Sequence, residues 1–325
     1  DYAVTGVQTC ALPISSIESF ITDDFKTYRE VESFNISDFI NLPAEDALEI
    51  DIEGITFENN YLWLTGSHSL KRKKIKFESE DIEKQINRLA KVEVDPNRYL
   101  IARIPFVKDE ETGLFRLEKT AVVNNRKLTA EKIEGDDTSN MLMEELEDDK
   151  HIKNFLNIPG KDNGFDIEGL TISNNKLFLG LRGPVLRGWA IILTLEINDI
   201  NEKEISFKKK NGKIYTKHFV FLHGMGIREL CVSNNDLLIL AGPTMELDGN
   251  ISVFKWVNGC KTKEASIAKP EKLFEVPFGI GKDKAEGMTI FKDDSQKEKI
   301  LLVYDSPADN RKIGATSVLA DLFEF

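Results

Sequence analysis

The sequence predicts an all-β protein built as a β-propeller, and three observations support this fold class. A short motif of apolar and charged residues recurs four times along the chain. Each copy is followed by a turn and then by a second, continuously apolar segment. Further strand-like segments follow each copy. The repeat therefore has roughly four strands, which is the composition of one propeller blade.

The four copies start at residues 52, 167, 227 and 285. An Asn-Asn pair follows each of the first three copies, and Asn tolerates the positive φ that a two-residue hairpin turn requires. The last two spacings, 60 and 58 residues, each correspond to one blade. We expect every copy to form an inner strand, a tight turn and a second strand that is covered on both faces. The copies read Ile52-Glu-Gly-Ile55, Ile167-Glu-Gly-Leu170, Ile227-Arg-Glu-Leu230 and Ala285-Glu-Gly-Met288.

The first spacing is 115 residues, and two helical segments account for its length. Residues 78–91 place Ile82, Ile86 and Leu89 at helical spacing among charged residues, which predicts a surface helix. Residues 141–156 form a second helical candidate, whose acidic run at 144–149 is expected on a solvated face. A single propeller domain over residues 15–325 would contain both segments.

The beginning of the chain is expected to differ from the rest. Residues 1–14 resemble an in-frame translation of a sequencing adapter, so we expect an artefactual segment that takes no part in the fold. Strand-like runs between Ile17 and Ile36 have no motif before them. We interpret them as the outer strands of a first blade that is truncated here, one of which could complete the last blade. The natural protein would then have about five blades.

Composition excludes several classes of partner. The chain has 43 basic and 55 acidic residues, a net charge of −12, which disfavours nucleic acid and a polybasic membrane contact. The longest apolar run, near Ala190–Leu195, is too short to span a bilayer.

Cys10, Cys231 and Cys260 form neither a metal-ligand spacing nor a disulfide framework, which favours a reducing, cytoplasmic compartment. Cys231 lies in an apolar run and is expected in the core.

The repeat also predicts a ring of polar side chains at one mouth of the central channel. The starts of the inner strands and the loops after the second strands meet there, and propellers bind ligands at such loops. Three motif glutamates and one motif arginine occupy equivalent positions, and the adjoining loops add basic residues and histidines. The candidate ligand-binding residues are Glu53, His68, Arg72, Asp166, Glu168, Arg182, Arg187, His223, Arg228, Glu286, Asp305 and Arg311.

Two interpretations of this ring are open. It could be a pocket for a charged or hydroxylated small ligand, or a Ca²⁺ site that uses carboxylate oxygens. It could equally be a structural network in which arginines join neighbouring blades. Repetition in several blades favours the structural interpretation for the glutamates, because a catalytic residue is usually unique to one blade. The blade-specific residues His68, Arg182, His223 and Asp305 are the better functional candidates.

Several segments resemble a bacterial family known as domain of unknown function 3616. The resemblance rests on Lys161–Leu170 with Gly180–Ala190, on Asp51–Ile55 with Gly66–Arg72, and on Ala285–Met288 with Tyr304–Pro307. It extends from about Ile17 to Phe325. The resemblance implies a propeller-like fold and no established activity, so it assigns no catalytic residue.

Two functions are compatible with these observations. The first is a ligand-binding or protein-interaction module that uses the channel mouth to take a small polar ligand or a protein partner. The alternative is a metal-assisted hydrolase with Ca²⁺ as its cofactor, acting on a phosphorylated or sugar-like small molecule. A carboxylate would then serve as general base and arginines would stabilise the developing anion. This alternative rests on analogy with other propellers. The chain has no nucleophile-elbow serine and no zinc-binding pattern.

Overall fold

The computed structural model describes residues 15–44, 50–76, 81–292 and 297–325, together with the backbone of residues 5–6. Its strands form four blades whose inner strands neighbour one another around a central channel, so the predicted β-propeller is confirmed. Each blade begins with one copy of the motif, and its second strand pairs with the inner strand in antiparallel register.

The first two blades are the largest sheets of the molecule. In the first blade, Phe115–Leu117 pairs with the third strand beside the main path of the sheet. In the second blade, the last strand pairs in parallel and comes from the connection between the third and fourth strands of the third blade. The strands of the first blade are Ile52–Glu58, Tyr61–Gly66, Ile101–Lys108 and Glu131–Lys132, and those of the second are Asp166–Ser173, Lys176–Gly183, Trp189–Glu196, Tyr215–Phe221 and Ser266–Ala268.

The third and fourth blades are smaller. The third blade consists of Gly226–Ser233, Asp236–Gly242, Ile251–Trp256 and Glu271–Val276. The fourth blade consists of Lys284–Lys292, Glu298–Asp305 and Asp321–Phe323. Two-stranded ribbons decorate the ring at Thr120–Val123 with Arg126–Thr129, at Lys71–Arg72 with Val92–Glu93, and at Lys312–Ile313 with Ser317–Val318.

The motif hairpins form as expected. Both Asn residues have positive φ in the turns at 59–60 and 174–175, whereas in the third blade only Asn234 does. Every residue of the second strand Tyr61–Gly66 is buried. The cores lie between neighbouring blades: Trp63 packs in one cluster with Leu170 and Leu179 of the second blade. Cys231 is buried between the third and fourth blades, as predicted.

The N-terminal strands Ser16–Ile21 and Arg29–Asn35 pair with each other and with Thr5–Gly6. Ile17 and Phe34 pack into the core of the first blade. Phe25 contacts Phe291 of the fourth blade edge to face, with 6.2 Å between ring centroids. This sheet therefore lies between the first and fourth blades. Among the described residues it does not complete the fourth blade, whose third strand is Asp321–Phe323. The remainder of the adapter-like segment, residues 1–4 and 7–14, lies outside the described residues.

Both predicted helical segments contain a helix. Ile82–Ala90 begins at Asp81, whose carboxylate accepts a hydrogen bond from Lys84 N at 2.9 Å. Residues 78–80 of this predicted segment lie outside the described part. Met141–Leu146 forms the second helix, and a 3-10 turn follows at Lys153–Phe155. No helix in the described ranges has the length and apolar character to cross a membrane.

The acidic run in the second segment was expected on a solvated face, and this is wrong for Asp149. Asp149 is buried and accepts hydrogen bonds from Tyr215 Oη at 2.6 Å and from the Lys217 ammonium. It anchors the segment to the fourth strand of the second blade because a buried carboxylate requires such partners.

Candidate functional site

The same irregularity in all four blades positions the motif side chains. The pairing of the inner and second strands is interrupted by a β-bulge between residues 52 and 54, 167 and 169, 227 and 229, and 285 and 287. The inserted residues are Glu53, Glu168, Arg228 and Glu286. A bulge re-aims the side chain at its own position. Here the bulges place the four side chains at the same end of the four inner strands.

Two motif glycines allow the inner strands to approach one another at this mouth. A Cβ on Gly54 would lie 2.5 Å from Cβ of Leu170 and 3.0 Å from its backbone nitrogen. A Cβ on Gly169 would lie 2.9 Å from Cγ of Leu230. Gly54 and Gly169 are therefore needed for the contact of each inner strand with the next blade.

Ion pairs link the second, third and fourth blades. The Arg182 guanidinium binds Oδ2 of Asp166 and Oε1 of Glu168. Nη1 of Arg228 lies 2.7 Å from Oε1 of Glu286 and 3.9 Å from Oε2 of Glu168. These five predicted residues are thus joined in one network, and Arg182 and Arg228 contribute its cations.

The first blade adds three charged residues to the network. Nη1 of Arg98 pairs with Oδ2 of Asp51 at 3.0 Å. The Glu53 carboxylate, by contrast, makes no hydrogen bond or ion pair with any described residue. We call the whole set the mouth network. It consists of five carboxylates, Asp51, Glu53, Asp166, Glu168 and Glu286, and three guanidiniums, Arg98, Arg182 and Arg228.

The excess of carboxylates changes the acidity of the mouth. Burial, reinforced by the charges of Asp51, Glu168 and Asp166, raises the pKa of Glu53 well above its ordinary value. Burial also raises the pKa of Asp166, Glu168 and Glu286, although Arg182 and Arg228 oppose the shift. Five carboxylates face three guanidiniums here, so positive charge is what this mouth lacks.

Sequence reasoning missed Glu229, which replaces the motif glycine in the third blade. Its Oε1 accepts hydrogen bonds from Leu230 N at 2.8 Å and from Leu170 N at 3.2 Å. Burial raises the pKa of this carboxyl well above its ordinary value. Glu229 thus joins the second and third inner strands. The exchange of Gly for Glu in one of four copies was the signal that could have revealed it.

His68 is engaged structurally. It is buried, with positive φ; Nδ1 lies 2.9 Å from the carbonyl oxygen of Gly66, and Nε2 lies 2.9 Å from Nδ2 of Asn140. The carbonyl can only accept, so Nδ1 carries the proton and Nε2 accepts from the amide. Burial lowers the pKa of His68 to about 4. Both nitrogens are therefore occupied in a neutral ring.

The remaining predicted loop residues, Arg72, Arg187 and His223, lie outside the mouth network. Nε of Arg72 pairs with Asp162 at 2.7 Å. Arg187 and His223 are exposed and have positive φ, and the His223 ring stacks on Phe254 with 6.2 Å between centroids. Neither Arg187 nor His223 forms an ion pair with the mouth network in the described ranges.

Arg311 belongs to a separate cluster in the fourth blade. Its guanidinium bonds to Asp283 at 2.9 Å and Asp321 at 2.7 Å, and its Cζ lies 3.9 Å from the centroid of the Tyr304 ring. Asp305 acts on the network electrostatically, because its charge raises the pKa of Glu286. Arg311 therefore supports the fourth blade, whereas Asp305 adds to the negative field of the mouth.

A shallow cavity that is open to solvent adjoins the network between the third and fourth blades. Arg228 contributes to its wall, together with Asp248 and Lys284. The rim is apolar, because Leu247 and Phe278 line it and are 57% and 41% exposed. In the described part of the chain, no three His, Cys, Asp or Glu side chains are grouped so that they could share one metal ion.

The four blades and the charged ring at their inner strands define this protein as a β-propeller. The chain belongs to the family described as protein of unknown function, DUF3616, whose model matches residues 13–321. It is also similar to the solved structure of a GH43 β-1,3-galactosidase with galactodeoxynojirimycin. That similarity has 10% sequence identity and a TM-score of 0.39, over 88% of this chain and 76% of that one. No curated protein matches the chain.

Proposed function

We propose that this protein is a binding module that takes a small, donor-rich ligand, an amine or a polyol, at the channel mouth. The observation that carries the proposal is the unpaired carboxylate of Glu53. It is half-buried, it has three other carboxylates around it, and it makes no hydrogen bond or ion pair with a described residue. A purely structural network would pair such a group, since a carboxylate that is partly removed from water among like charges destabilises the fold.

The neighbouring cavity supports a small ligand. It is shallow and open to solvent, so it would enclose only a small group of a ligand. Its wall holds both signs of charge, on Arg228 and Lys284 and on Asp248. An ammonium or several hydroxyl groups would supply the donors that Glu53 lacks, while the apolar rim would cover the carbon skeleton.

Glu53→Gln tests this proposal because it separates binding from stability. The folded protein holds the Glu53 proton more tightly than the unfolded chain does, so ionisation of Glu53 destabilises the fold as pH rises. We expect Glu53→Gln to raise the melting temperature near neutral pH, with a difference that disappears below the ordinary glutamate pKa. We expect the same variant to lose ligand binding.

Binding is measured by isothermal titration calorimetry with spermidine, glucosamine, sorbitol and CaCl₂ as probes. We expect at least one amine or polyol to bind wild type saturably, with about tenfold weaker binding to Glu53→Gln. Glu83→Gln on the exposed face of the surface helix is the matched control and should leave binding unchanged. Failure of all three organic probes, or equal binding by Glu53→Gln, would overturn the proposal.

The calcium-dependent hydrolase remains a second prediction, and the calcium arm tests it. A general base must reach the proton that it removes. Glu168 and Glu286 are each held by a guanidinium, which leaves Glu53 as the base that this alternative needs. Saturable binding of calcium that disappears in Glu53→Gln, together with turnover of a phosphate ester or a glycoside, would favour the hydrolase over the binding module.

A protein partner is the other form of the binding module. The specific observation in its favour is the apolar rim formed by Leu247 and Phe278, together with Ile280, which is 91% exposed and follows Phe278 by two residues in the chain. Exposed apolar patches mark interaction surfaces. If Ile280→Glu abolished capture of a purified partner and left the binding of small probes unchanged, the rim and the mouth would have separate roles.

A further inference from the structure

A second cavity, shallow and open to solvent, lies on the second blade away from the mouth. The register pairs Lys176 with Glu196 and Thr194 with Thr216, so these residues share one region of the sheet. The mouth is at the opposite end of the same strands, where Asp166 pairs with Gly183. The cavity is therefore separate from the mouth network.

The cavity is strongly basic, although the chain carries a net charge of −12. Glu196 is the only carboxylate in its lining, and its oxygens lie 2.8 Å from Nζ of Lys208 and 2.9 Å from Nζ of Lys210. The lining contains five lysines: Lys176, Lys208, Lys210, Lys213 and Lys263. One carboxylate cannot neutralise them, so the cavity has a surplus of positive charge.

Two of the lysines have no carboxylate partner in the described ranges. The Lys176 ammonium donates to the carbonyl oxygen of Thr262 at 3.2 Å, and Lys263 forms no ion pair. Burial, with the charges of Lys210 and Lys263, lowers the pKa of Lys176. The hydrogen bonds from Lys208 and Lys210 lower the pKa of Glu196 to about 2. Both effects show a local field that favours additional negative charge.

Two buried polar atoms in the lining also lack partners. Nε2 of His218 and Oγ1 of Thr194 make no hydrogen bond with a described residue, and their side chains are 1% and 7% exposed. Nδ1 of His218 lies 2.9 Å from Oγ of Ser266. Burial lowers the pKa of His218 to about 4, so the ring is neutral at neutral pH. When the Ser266 hydroxyl donates to Nδ1, Nε2 carries the proton and is a donor without an acceptor.

We propose that this cavity binds a small phosphate-bearing anion, held by Lys176 and Lys263 with His218 Nε2 and the Thr194 hydroxyl as neutral donors. Lysine ammoniums are compact point charges that suit a tetrahedral phosphate, whereas a planar carboxylate is better matched by the fork of arginine. Neutral donors that are already in place add directional hydrogen bonds. This site does not depend on the proposed function of the mouth.

The test is calorimetric titration of the full chain with sodium pyrophosphate, inorganic phosphate and glucose 6-phosphate at constant ionic strength. We expect one saturable site, and the three arms distinguish a free phosphate from a phosphomonoester. Lys176→Met and Lys263→Met should each weaken binding by about tenfold. Lys84→Met on the surface helix is the matched control and should not change it.

His218→Gln provides a second measurement, because it removes a neutral donor and leaves every lysine in place. We expect binding to weaken in this variant as well, with a melting transition that shows the variant is folded. The proposal is overturned if no probe binds wild type saturably. It is also overturned if Lys176→Met and Lys263→Met, both folded, bind like wild type, since attraction would then be general surface electrostatics.

Discussion

The two ends of the second blade differ in how their oppositely charged side chains are paired. At the mouth, Arg182 is 10% exposed at its side chain and joins two carboxylates of its own blade, while Arg228 of the next blade approaches one of them. At the other end, Lys208 and Lys210 are 50% and 34% exposed and share Glu196. Removal of one partner from a buried network leaves an uncompensated charge, whereas solvent replaces a lost partner at the surface. Removal of a guanidinium from the mouth network should therefore destabilise the fold, whereas removal of one lysine from the basic cavity should not.

The largest expected effect follows from this contrast. Arg182→Met leaves Asp166 and Glu168 buried without their cation, and we expect it to lower the free energy of unfolding by about 3–5 kcal/mol. Lys210→Met leaves Glu196 paired with Lys208, and its effect should stay within about 0.5 kcal/mol. Urea unfolding of both variants near pH 7 measures the difference. Equal losses would show that the mouth network is as well solvated as the surface.

The second prediction uses pH, because the mouth carboxylates and His218 respond in opposite directions. Ionisation of the mouth carboxylates destabilises the fold as pH rises, since their pKa values are raised. The pKa of His218 is depressed to about 4, so the stability that its neutral ring contributes is present above about pH 6.5 and is lost as pH falls.

Unfolding free energies at about pH 7 and pH 4.5 quantify this effect. We expect the loss between these two pH values to be about 2–3 kcal/mol smaller in His218→Gln than in wild type. His68→Gln serves as the comparison, because the pKa of His68 is also lowered to about 4 but this ring lies at the other end of the molecule. An unchanged pH dependence in His218→Gln would mean that His218 is protonated without penalty.

The repeat made the blades predictable, and it also located four of the eight residues of the mouth network. The spacing of the motifs located the inner strands, and equivalence between copies placed Glu53, Glu168, Arg228 and Glu286 in one ring. The β-bulges that aim these side chains were not predictable, because a bulge is one extra residue in a pairing that the sequence does not display. Loop residues such as His68 share a mouth by topology, but their hydrogen bonds depend on tertiary partners such as Asn140.

The basic cavity escaped sequence reasoning for another reason. Lys208 and Lys210 lie in a run of three consecutive lysines, and Lys263 comes from the connection between the third and fourth strands of the third blade. Only the parallel pairing of Ser266–Ala268 with the second blade brings that connection beside His218. Repeat equivalence could not predict this contact because no other blade among the described residues receives such a strand.

The smallest expected effect tests whether the backbone, rather than the charges, sets the geometry of the mouth. Gly54→Ala places a methyl group 2.5 Å from Cβ of Leu170, so the first and second inner strands must separate. We expect a loss of about 1–3 kcal/mol in unfolding free energy. Gly279→Ala is the matched control, because its methyl group would be 3.6 Å from the nearest atoms.

Separation of the strands should also lower the pKa of Glu53, since Glu168 and Asp166 would move away from it. Loss of stability without a change in the titration of Glu53 would show that the carboxylates hold their own positions, and that the close packing at Gly54 serves the core alone.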